Sequence, residues 1–142
     1  MAIIGGGPPG GVSNSFTGTA STIEAMGNGI WAGWSGLKEP NNSTVEAFNF
    51  LSPNTGLIIE TGWFVNFDGI SSGKFLQIVV SLNGTTVIDQ KGEMVGTADW
   101  PGTFPFVIPD FVIPSQTEVI IQVATDEGVA VPMYITLVGK EI

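Results

Sequence analysis

Side chains able to do covalent chemistry are scarce in this chain. Its 142 residues include no histidine and no cysteine, and Lys38, Lys74, Lys91 and Lys140 are the only basic groups, against 13 carboxylates. A serine nucleophile normally takes its proton acceptor from imidazole, so only a Ser–Lys arrangement remains formally available. Tyr134 is the single tyrosine. Carboxylate pairs could in principle cleave glycosides, but 13 acids on one scaffold produce such pairs by coincidence. No phosphate-cradling glycine pattern follows a strand. The residues therefore read as those of a protein that is not an enzyme.

Metals and charged partners are constrained in the same way. Transition-metal sites draw on imidazole or thiolate, so calcium, with its oxygen ligands, is the one cation in play. Asp126-Glu127-Gly128, Asp99 and Asp110 are the acids it would use. Without EF-hand spacing they read first as solvated loop acids, and the expectation is no cofactor, with calcium shared between subunits as the alternative. The formal net charge of −9 opposes binding to nucleic acid, which needs cations for its phosphates, and to anionic membranes.

Aromatic and proline-rich positions carry more information. Trp31 and Trp34 are three apart, so a regular strand sends them to opposite faces. One enters the core. The other lies outside, where a sugar, a neighbouring subunit or the chain's own arm would cover it. Trp100 opens the segment Trp-Pro-Gly-Thr-Phe-Pro-Phe-Val-Ile-Pro-Asp-Phe-Val-Ile-Pro, in which Phe-Val-Ile-Pro occurs at 106–109 and again at 111–114. Phe106 and Phe111 are five apart. Pro105, Pro109 and Pro114 cannot donate ladder hydrogen bonds, which restricts the segment to a sheet edge or a bent crossing. It either folds into its own core or offers an apolar surface to a partner chain. Residues 1–15, with Pro8-Pro9 among glycines, read as a flexible arm that either stays disordered or orders on a neighbouring subunit.

The elements that position these residues are strands. Period-two segments run at Gly29–Ser35, Thr44–Phe50, Leu57–Phe67, Phe75–Leu82, Thr85–Gln90, Thr117–Ala124 and Val131–Val138. Asn83-Gly84 predicts a two-residue type I′ hairpin turn. Leu76, Ile78, Val80 and Leu82 form an inward row, Val119, Ile121 and Val123 share one face, and Met133, Ile135 and Leu137 share one side of the last strand. Ser21–Met26 carries a capping-box pattern that predicts one helical turn. The glycosylation-like Asn42-Ser43-Thr44 and Asn83-Gly84-Thr85 read as turn chemistry. The fold expected from the residues is all-β: an antiparallel sandwich or barrel of about eight strands over residues 16–142, which the resemblance below narrows to a sandwich of jelly-roll type. The start lacks a charged and then apolar leader, so no signal peptide is read there, and no window of about 20 apolar residues reads as a membrane helix.

Several segments resemble the small jelly-roll proteins of virus particles, phage-like ones in particular. They are Gly29-Ile30-Trp31-Ala32-Gly33-Trp34-Ser35-Gly36, the Ser81-Leu82-Asn83-Gly84 hairpin, Phe111 to Val119, and Tyr134 to Gly139. The resemblance covers about residues 29–139 and rests on texture and segment order. It implies a virion structural protein, a capsid decoration, cement or minor capsid jelly roll, that forms homo-oligomers, often trimers, and contacts a major capsid protein. It carries over no catalytic residue. Strong acidity departs from a protein that lines packaged DNA, so an outer-surface position is expected. A carbohydrate-binding module or receptor-binding fibre tip is the alternative. Trp31, Trp34, Trp100, Phe106, Pro109, Phe111, Pro114, Pro8 and Pro9 are the interface candidates.

Overall fold

The structure, a computed structural model, describes residues 21–59, 64–67, 70–93, 102–103 and 109–142. Pro8, Pro9, Trp100 and Phe106, and with them the arm and most of the first Phe-Val-Ile-Pro copy, lie outside the described residues. Among the described residues eleven strands are seen: β1 (Thr22–Gly27), β2 (Ile30–Trp34), β3 (Ser43–Leu51), β4 (Leu57–Ile59), β5 (Phe64–Phe67), β6 (Phe75–Leu82), β7 (Thr85–Glu93), β8 (Gly102–Thr103), β9 (Phe111–Ile113), β10 (Glu118–Thr125) and β11 (Met133–Glu141).

They form two antiparallel sheets. The first runs β1-β2-β11-β4-β9, with β5 also paired to β11 and β8 to β5. The second runs β3-β10-β6-β7. β4 and β5 lie along the same partner, Leu57 opposite Glu141 and Phe64 opposite Thr136, and so act as one interrupted strand. β9 and β8 continue it outward as a second. Counted this way, eight principal strands alternate between the sheets in jelly-roll order, with β1 added outside β2. Of the long strand expected over Leu57–Phe67, residues 57–59 and 64–67 are described, and their registers against β11 differ by two residues.

The core is built by the alternation that the sequence shows. Leu76, Ile78 and Val80 of β6, Val119, Ile121 and Val123 of β10, and Met133, Ile135 and Leu137 of β11 are all buried. Fully burying each such side chain stabilises by roughly 1.5–3 kcal/mol before entropy is counted. β3 contributes adjacent Ala47 and Phe48, both fully buried. Strict alternation forbids this. A bulge permits it, because Ile121 faces Phe48 while the next residue, Gln122, faces Glu46. Phe48 meets Phe50 edge to face at 6.1 Å.

The hairpin forms as the sequence predicts. Leu82 faces Thr85, and Asn83 and Gly84 both hold positive φ, 49° and 82°. The helical turn at Ser21–Met26 does not form. That stretch is β1, paired along β2 from Thr22 opposite Trp34 to Gly27 opposite Ile30. A single helical turn is a costly nucleus, and Ser21 has a φ of 70°, not the extended backbone of a helix cap. A second Asn-Gly pair, Asn28-Gly29, also with positive φ at both positions, closes the β1–β2 hairpin.

Candidate subunit interface

Opposed residues in an antiparallel ladder point to the same side, so the register fixes which side chains share each outer face. On the first sheet, Trp34 lies between Thr22 and Thr136, and Ala32 between Glu24 and Val138. A further row runs Ile30, Lys140, Ile58, Val112 across β2, β11, β4 and β9. Three intervals of about 4.8 Å make that row roughly 14 Å wide. Val112 is 51% exposed, Val138 43% and Tyr134 38%. Among the described strand positions on this face the charged groups are Glu24, whose Oε1 is buried, and Lys140, while exposed Asp110 lies two residues before Val112.

The outer face of the second sheet differs. Its outward rows place Glu46 beside Gln122, Val79 and Asp89, and add Glu118, Glu93 and Lys91. Four carboxylates therefore stand against one lysine. Gln77 Nε2 donates to Asp89 Oδ1 at 2.6 Å, and the Lys91 ammonium sits 4.0 Å from the Phe75 ring centre. Among the described strand residues the outer face of the first sheet is thus mostly apolar, with Ala32 and one Glu24 oxygen buried within it, while that of the second is acidic and polar.

The two tryptophans separate as their spacing requires. Trp31 shares its side of the sheet with Gly139, faces inward and packs against the core cluster. Its indole N–H donates to Glu141 Oε2 at 2.8 Å, which satisfies the group at the sheet's rim. Trp34 is the outward one and is half-buried. Between them Gly33 faces inward, where a Cβ would come within 2.6 Å of the Thr22 carbonyl and 3.1 Å of the Phe48 ring.

The second Phe-Val-Ile-Pro copy forms the edge strand its prolines call for. Phe111 and Ile113 turn inward opposite Ile59 and Leu57, while Val112 joins the outer face. Pro109 and Pro114 are both exposed, and the Pro114 carbonyl accepts a bond from Ser52 Oγ at 2.6 Å. Phe111 and Pro114 therefore belong to a strand end and its turn, and Val112 is the exposed apolar side chain of this copy. Val138 and Ile58 were missed by sequence reasoning, since two-sided apolar strands hide which face is spare.

Asp126 and Glu127 are not solvated loop acids. Glu127 is only 7% exposed. Ser71 N–H donates to its Oε2 at 2.8 Å and Gly128 N–H to its Oε1 at 3.0 Å, while Phe75 N–H donates to Asp126 Oδ1 at 2.8 Å. The Glu127 carbonyl also accepts from Asn42 N–H. These bonds tie together the loops preceding β3, β6 and β11. The Ser71 hydrogen bonds hold the Glu127 carboxyl below its ordinary value, against the opposing effect of burial, with the Gly128 N–H and the Lys74 charge helping. Among the described residues no group of three or more His, Cys, Asp or Glu side chains is placed to hold a metal ion.

Two Ser-x-x-Lys spacings occur, Ser35–Lys38 and Ser71–Lys74. The Ser35 hydroxyl is buried, donates to the Gly36 carbonyl and accepts from Ile135 N–H. Lys38 Nζ donates to Ser21 Oγ instead. In the second, the Lys74 N–H donates to the Ser71 carbonyl in a turn. Both spacings serve loop geometry.

The two sheets, taken as eight principal strands among the described residues, make a jelly roll, and solved structures from a virus share that fold. The chain is similar to the structure of infectious bursal disease virus Gx strain, with a TM-score of 0.52 and 17% identity over 79% of this chain and 32% of the other. It is equally similar to the VP2 subviral particle of infectious bursal disease virus, with a TM-score of 0.51, 17% identity and the same coverage. The chain spans about a third of the length of these neighbours, and at this identity the likeness is one of fold. No family model and no curated protein matches the chain.

Proposed function

We propose that the chain is a structural subunit of a virus particle and binds its neighbours through the outer face of the first sheet. The observation that carries this reading is the contrast between the two outer faces, on a fold shared with the infectious bursal disease virus structures. In a chain of net charge −9, copies repel each other, and a mostly apolar surface with few charges is where close approach costs least. Each 100 Å² of apolar surface covered there is worth about 2.5 kcal/mol before the costs of association. Repetition over many copies makes such contacts sufficient to brace a shell. Within this role we assign the chain to the decoration, cement or minor capsid class, bound to a major capsid protein on the outer surface and associating as trimers.

Val112→Glu and Val138→Glu test the face directly. Both side chains point to solvent, so the monomer should keep its melting temperature within a few degrees, while self-association and binding to virus shells are lost. Unchanged association in both variants would remove the first sheet's face from the mechanism. Trp34 on that face also fits a sugar-stacking role. A stable monomer that binds a glycan panel through Trp34, and no particle, would replace the shell reading with the carbohydrate-binding one.

A further inference from the structure

The last strand of the second sheet makes its ladder on one side only. β7 is nine residues long and, among the described residues, pairs with β6 alone. No backbone hydrogen bond from β7 to a described residue outside that ladder is found. A row of unpaired N–H and C=O groups is a template for another strand. A bulge at Val87, between the Val80–Ile88 and Ser81–Thr86 pairs, interrupts the row near the hairpin. From Ile88 to Glu93 the ladder is regular.

The charges along this stretch select a partner. Asp89, Lys91 and Glu93 alternate on the outer face. We propose that β7 pairs antiparallel with β7 of a second copy across a two-fold axis at Gln90, joining two four-stranded sheets into one. In that register Lys91 of each copy lies opposite Asp89 of the other, twice over, and Ile88 lies opposite Gly92. Moving the axis to Lys91 would set lysine against lysine and Asp89 against Glu93. Moving it to Asp89 would set aspartate against aspartate. An axis at Gly92 would also pair Lys91 with Glu93, but the Gln90 axis gives two opposite-charge pairs while opposing five of the six regular residues, Ile88 to Gly92, and an isologous contact closes without propagating into fibres. The contact uses the second sheet's edge, so it is independent of the first sheet's outer face.

The area of one strand pair is small, so the pairing is weak in free solution and cross-linking is the suitable readout. The chain has no cysteine, so Gln90→Cys supplies a single thiol, which the axis places opposite its own copy. Mild oxidation or a short bismaleimide should join Gln90→Cys into a covalent dimer at least tenfold faster than Thr86→Cys, which this register leaves unopposed. Adding Asp89→Lys to Gln90→Cys should abolish the cross-link, and the exchange Asp89→Lys with Lys91→Asp should restore it, which separates pairing from misfolding. Equal cross-linking of Gln90→Cys and Thr86→Cys, or cross-linking unaffected by Asp89→Lys, would overturn the proposal. So would a dimer that Val138→Glu abolishes, since the contact would then belong to the first sheet.

Discussion

Glu127 shows how much one carboxylate can do in a loop. Both of its oxygens accept backbone N–H bonds and its carbonyl accepts a third. Its folded-state value lies below the ordinary 4.5. The stability it contributes is therefore fully present above pH 4.5 and is lost as pH falls through the lowered folded value. Glu127→Gln should destabilise the fold at pH 7 by about 1.5–3 kcal/mol, the worth of hydrogen bonds to a charged group. In melting curves from pH 7 downward, the gap between the two proteins should stay constant to about pH 5 and narrow below 4.5. Gly33 answers to sterics instead. The atom nearest its missing Cβ is the Thr22 backbone carbonyl, which cannot swing aside. Gly33→Ala should cost about 1–3 kcal/mol, as overpacking does, measured as a shifted denaturation midpoint at unchanged slope.

Among the elements, the strands legible in the sequence were those with one clean apolar row. β6, β10 and β11 show their inward residues at every second position, and Asn83-Gly84 marks its turn unaided. Strand β1 was obscured because Ser21 and Glu24 mimic a helix start, although Asn28-Gly29 carries the same turn chemistry as Asn83-Gly84. The register difference between β4 and β5 could not be read, since the alternation passes through it without a phase change. Bulges are equally silent: nothing in Val45-Glu46-Ala47-Phe48 announces that two neighbours face inward. The spacing of Trp31 and Trp34 fixed that they part company, but choosing the outward one required the pairing of β2 with β11. At this scale the hairpin can be tested. Gly84→Ala forces a side chain to a φ of 82°, where an L-residue is penalised by roughly 1–2 kcal/mol. Urea denaturation should show a loss of that size, and Gly128→Ala, with open space around its Cβ, should show little.

For the whole molecule, sequence composition stated the constraint and the register located its consequence. Among the described strand residues the charge of a chain with net −9 is spread unevenly, with four carboxylates on the second sheet's outer face and Glu24 and Lys140 on the first. Salt should therefore strengthen self-association through the first face, because screening removes the repulsion between copies without weakening apolar contact. Sedimentation between 50 mM and 500 mM salt would show it. The position of β11 has a different result, one of timing. This strand lies between β2 and β4 in the first sheet, and Trp31 finds its partner 110 residues away. The first sheet cannot close until residues 133–141 have left the ribosome. Long-range pairing of this kind gives refolding in milliseconds to seconds. A chain stalled before Met133 should be protease-sensitive throughout, and one released after Glu141 should become resistant in a single step.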